Sequence, residues 1–107
     1  STLLASSAAS DVYKRQVCRL SAAQEVQLGQ EAGRAFAFLC GLADEGMDQA
    51  RREQLWAVAN NAALLRFSLK EGEYPVFDSA VELLHRMELR QIARLAQQYQ
   101  QRFEERA

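Results

Sequence analysis

One histidine, His85, is all the imidazole in this chain, and Pro75 is its only proline. No carboxylate or cysteine stands at ligand spacing around His85, so neither a metal site nor a histidine-based catalytic dyad is expected. Neither a phosphate-binding glycine loop nor a nucleophile elbow occurs. Glu104 and Glu105 are neighbours in sequence and do not face each other on a helix, which makes them a solvated end rather than an acid and base pair. These residues give no reason to expect an enzyme, a cofactor or a metal. Cys18 and Cys40 lack metal-ligand spacing and read as free thiols in a reducing cytosol. No stretch approaches the ~20 apolar residues needed to cross a bilayer, so a soluble, cytoplasmic protein is predicted. Neither sign of charge dominates: 13 basic residues stand against 14 acidic ones, and nothing demands a polyanionic partner. What remains is 49% hydrophobic and 25% charged, the balance of an ordinary globular domain rather than a disordered tail.

The first sixteen residues stand apart. Ser6 to Gln16 back-translates, codon by codon, onto the adaptor used in transposase-based sequencing libraries. Ser1 and Thr2 fit the bases before the sample index, and Leu3 to Ala5 would be the index itself. Residues 1–16 therefore resemble a translated adaptor, to be set aside from fold reasoning, and their apolar start is not a signal peptide. The expected source is a metagenomic read from a bacterium or its virus, with a short native N-terminal piece missing. Setting aside Asp11, Lys14 and Arg15 takes the 13 basic and 14 acidic residues to 11 and 13. Residues 17–107 are predicted to form one domain, of a size that buries about 60–65% of its unfolded surface and is marginal alone.

Periodicity predicts an all-α fold, a small bundle of three to four helices. Ser21-Ala-Ala-Gln24 has the form of a capping box opening helix one, whose apolar face is Leu28, Ala32, Ala35, Phe36, Leu39 and Ala43. Gly29, Gly33 and Ala37 recur every four residues and predict close approach by another helix, or a seam for self-association. Asp48 is placed to cap helix two, running to about Lys70 and stopping at Gly72. Its stripe is Leu55, Val58, Ala59, Ala62, Leu65 and Leu69, with Trp56, Ala63 and Phe67 as a second flank; so broad an apolar surface marks a central helix. Tyr74-Pro-Val-Phe77 reads as an apolar turn or short extended piece before the C-terminal helical region. Ser79-Ala-Val-Glu82 is a second capping box, with Phe77 as its hydrophobic staple. Leu89, Ile92, Ala93, Ala96, Tyr99 and Phe103 form the clearest stripe, and nothing between Met87 and Leu89 forces a break between helices three and four.

Arg86, Arg90 and Arg94 recur at four-residue steps and could contact phosphates, which makes a small helical nucleic-acid-binding regulator one reading. Against it, Glu82 is placed to pair with Arg86 and the net charge is negative. The other reading starts from the cadence Asn61-Ala-Ala-Leu-Leu-Arg-Phe-Ser-Leu69, a glycine-containing turn, Pro75-Val-Phe-Asp-Ser79, Leu83-Leu84 and Ile92-Ala-Arg-Leu-Ala-Gln-Gln-Tyr99. Over about Leu55 to Tyr99 it resembles the small tail assembly chaperones of bacteriophages and prophages. The resemblance implies a kink before the last helix, although Glu88 stands where the family tends to place Thr or Ser. It also implies non-covalent binding of the tape-measure protein, or another tail protein, during tail assembly. Trp56, Phe67, Tyr74 and Phe77 would then be candidates to line a groove for a client helix, though large aromatics are also what so small a domain needs for its own core.

Overall fold

Ser21 begins the first long helix by the exchange its sequence predicts. Its hydroxyl accepts from the Gln24 N–H at 3.2 Å and the Gln24 side-chain oxygen accepts from the Ser21 N–H at 2.9 Å. The structure is a computed structural model that describes residues 15–43 and 46–104; residues 1–14 of the adaptor-like stretch, together with Glu105 and Arg106, lie outside it. In chain order the elements are β1 (Arg15–Val17), α1 (Ala22–Leu42), α2 (Gln49–Ser68), β2 (Leu69–Glu71), β3 (Tyr74–Pro75), α3 (Ala80–Arg86) and α4 (Leu89–Tyr99). A π-helical turn over Gln100–Glu104 follows α4 directly. The fold is thus the expected small helical bundle, with a three-stranded antiparallel sheet added, ordered β1-β2-β3.

Asp48 caps α2, accepting from the Arg51 N–H at 2.8 Å. The helix stops at Ser68, two residues short of the predicted Lys70, because Leu69 and the residues after it enter the sheet. The Cys18 N–H donates to the Ser68 carbonyl at 2.8 Å and so satisfies a carbonyl that the helix end leaves open. Gly72 turns the β2–β3 hairpin at φ +68°, a conformation that a two-residue turn needs and side chains resist. β1 crosses the boundary drawn at residue 17: Arg15 pairs with Glu71, Gln16 with Lys70 and Val17 with Leu69. Ladder bonds are made by backbone groups, so this pairing does not depend on which side chains stand at 15 and 16.

α3 and α4 are separate helices. Met87 and Glu88 are extended, with ψ of 151° and 150°, and Gln91 takes the Glu88 N–H at 3.1 Å to start α4. Ser79 accepts from the Glu82 N–H at 3.1 Å, while the Glu82 carboxylate reaches back to the Asp78 N–H at 2.8 Å.

The core has two linked clusters. One gathers Val17, Leu20 and Leu69 with Leu64, Phe67, Ala96 and Tyr99; the other joins Ala35, Ala59, Ala62, Leu65, Ala80, Leu83 and Ile92. Phe77, Met87 and Leu95 touch both. Seven of the sixteen buried apolar residues described are alanines, so the helices lie close together and many larger side chains are left nearer the surface.

Two expectations about faces fail. Gly29 and Ala37 are exposed and Gly33 half-exposed, and a Cβ built at Gly29 or Gly33 would meet nothing within 4 Å. The small-residue row therefore faces away from the bundle. Leu89 and Ala93, predicted in the core stripe of the last helix, are also exposed, because the buried line of α4 runs through Ile92, Ala96 and Tyr99 and leaves both to one side.

Candidate docking groove

α2 is a central helix along only half its length. From Ala59 to Phe67 its apolar side chains are buried under α3, α4 and the sheet. Over Gln49–Val58 none of its residues is fully buried, and Leu55 and Val58 remain half-buried. An open groove of about 610 Å³ lies there. Leu39, Leu42 and Ala43, at the end of α1, form one wall. Arg51, Gln54, Leu55, Ala57 and Val58 of α2 form the floor and opposite wall. Leu89, the first residue of α4, closes one end. Leu42 is 68% exposed and Leu89 64%, each presenting a large apolar side chain to water.

Among the described residues lining this groove Arg51 alone is charged, and no described carboxylate lies within ion-pair distance of it. The described lining residues offer no general acid, base or nucleophile. An open trough of leucine and valine with the Arg51 guanidinium at its edge is suited to the apolar stripe of a helix, whose side chains enter at intervals of three and four residues.

The elements that place Leu89 are held by two long-range bonds. Glu31 of α1 is buried and accepts from the Ala80 N–H at 2.7 Å, fixing the start of α3. Arg66 approaches the same carboxylate at 3.6 Å and Arg34 at 3.8 Å. At the far end of α4, the Tyr99 hydroxyl accepts from the buried Leu20 N–H at 3.1 Å. Sequence reading missed Glu31, since its partners come from other elements. It also missed Leu42, whose only signal is its place three residues after Leu39.

The four aromatic candidates do not converge. Trp56 is 40% exposed and stacks on Phe36, ring centroids 4.2 Å apart at 10°, on the flank of α2 beside the groove. Phe67 lies eleven residues further along α2, about 16 Å away along its axis, and is buried in the core. Tyr74 stands exposed on β3, and Phe77 is half-buried between the two core clusters. A client groove lined jointly by these four residues does not form. The competing demand explains the outcome: Phe67 and Phe77 are taken up by the core of a small domain.

The arginine row is broken as well. The extended residues Met87 and Glu88 put Arg86 on a different helix from Arg90 and Arg94, so the four-residue spacing no longer defines one face. Arg86 and Arg94 line a second depression between the sheet and α3–α4, made of two adjoining hollows of about 490 and 630 Å³, while Arg90 lines neither. Arg15 lines both hollows and stands 4.0 Å from Glu71, and Glu82 lines one of them, so two carboxylates face three guanidinium groups there. His85 is exposed, its ring tilted against Phe38 at 5.0 Å. Among the described residues no three His, Cys, Asp or Glu side chains gather as a metal set, and no helix is long and apolar enough to cross a membrane.

Compared with known proteins, the chain matches no family model, no curated protein and no solved structure.

Proposed function

We propose that this chain is a phage or prophage tail assembly chaperone that acts in the bacterial cytoplasm. It holds an apolar helical segment of the tape-measure protein, without covalent chemistry, in the groove between the end of α1, the first half of α2 and Leu89. The observation that carries this reading is the groove itself, with Leu42 and Leu89 turned to water at 68% and 64% exposure. A domain this small has little apolar surface to spare for solvent, and a client helix would cover that surface as α3 and α4 cover the other half of α2. The resemblance that runs from Leu55 to Tyr99 supplies the kind of client.

Co-purification with a tape-measure protein encoded on the same stretch of DNA tests the reading. The wild-type chain is expected to co-elute with it, and a Leu42→Asp, Leu89→Asp variant with an unchanged far-ultraviolet circular dichroism spectrum is expected not to. Co-elution that ignores the two substitutions, or its absence with a folded wild type, would overturn it.

A further inference from the structure

We infer that, in the absence of client, the groove is closed by a second copy of this chain, laid groove against groove across a two-fold axis. The inference rests on reading the groove as the working surface, and adds how that surface is kept from water.

The groove end of the molecule is an unfinished core. Over Ala59 to Ser68 the floor helix is packed on several sides, whereas Leu39, Leu55 and Val58 are only half-buried, and Leu42 and Leu89 project outward. A second α1–α2 hairpin would give the first half of α2 the cover its second half already has.

The same surface is complementary to itself, as a two-fold interface requires. α4 runs along α2 in the same direction: Ile92 is buried with Ala59 and Ala62, while Ala96 and Tyr99 are buried with Leu64 and Phe67. That register places Leu89, and Glu88 before it, at the Val58 end of the groove. Arg51 lies at the opposite end, seven residues or about 10 Å back along the helix axis. Neither Arg51 nor Glu88 has an ion-pair partner among the described residues. A two-fold axis through the middle of the groove brings Arg51 of each copy to Glu88 of the other and buries Leu42 and Leu89 from both. With a net charge of −1, two copies meet little long-range repulsion. A client helix offering its own apolar stripe would displace the second copy, so capture of client and release of self become one event.

Sedimentation of the full chain, from micromolar to sub-millimolar concentration, tests this. The expected mass rises from 12.1 kDa toward twice that value. The Leu42→Glu, Leu89→Glu variant is expected to stay at the monomer mass with its helical spectrum intact. Arg51→Glu and Glu88→Arg should each weaken the dimer about tenfold, since each reversal spoils two symmetric pairs, and the two together should restore it. A wild type that is monomeric throughout, a dimer indifferent to the leucine substitutions, or a double reversal that fails to restore association would overturn the inference. A monomer that still co-elutes with the tape-measure protein refutes the self-capping alone; a dimer that never takes that protein upholds the self-capping and refutes the client.

Discussion

Glu31, in the middle of α1, accepts a 2.7 Å hydrogen bond from the backbone N–H of Ala80, 49 residues further along the chain. The carboxylate thereby caps a helix to which it does not belong, at the end where helix dipoles favour negative charge. Arg66 of α2 sits 3.6 Å from the same group, so three helices meet at one side chain.

Removing that group leaves a buried N–H and a largely buried guanidinium without their partner. Glu31→Ala is expected to cost about 2–4 kcal/mol, and Glu31→Gln about half as much, because an amide oxygen still accepts from Ala80. Urea denaturation checks both. A loss under about 0.5 kcal/mol for the alanine variant would show that the contact contributes nothing to the fold.

Tyr99→Phe keeps the ring in the core beside Phe103, 4.9 Å away, and deletes only the hydroxyl that serves the Leu20 N–H. The orphaned amide should cost about 1–2 kcal/mol. For a domain of this size a thermal melt should then shift down by roughly 4–16 °C.

At Gly29 and Gly33 the prediction is a gain. A Cβ there meets nothing within 4 Å, and glycine is a poor helix former, so Gly29→Ala and Gly33→Ala should each stabilise by about 0.5–1 kcal/mol. A loss at either position would mean that this face packs against something close. Gly72→Ala should go the other way by about 1–2 kcal/mol, because φ of +68° strains any side chain.

These contrasts mark what the sequence makes legible. Helix starts are written locally: Ser21 with Gln24, Asp48, and Ser79 with Glu82 each satisfy backbone groups within a few residues, and all three begin helices as read. The sheet is not local. β1 and β2 pair over three residues separated by the whole α1–α2 hairpin, and β3 is only two residues long, so no alternation develops. Periodicity tells which side chains share a face, not which face is covered. That is why spacing alone turns the Gly29, Gly33 and Ala37 row toward a neighbouring helix of the bundle, where the structure does not place it, and puts Leu89 in the core. The groove follows the same logic in reverse: Leu39, Leu55 and Val58 fall on core stripes by their spacing, and the structure leaves them half-buried along an open groove.

Calorimetric titration of the chain with a helical peptide from the tape-measure protein tests the central claim most directly. Burial of an apolar stripe predicts binding with a negative heat-capacity change, weakened at least about tenfold by Leu42→Asp with Leu89→Asp and little altered by added salt. A folded chain that binds no such peptide, or binds it equally well with both leucines replaced, would contradict the account.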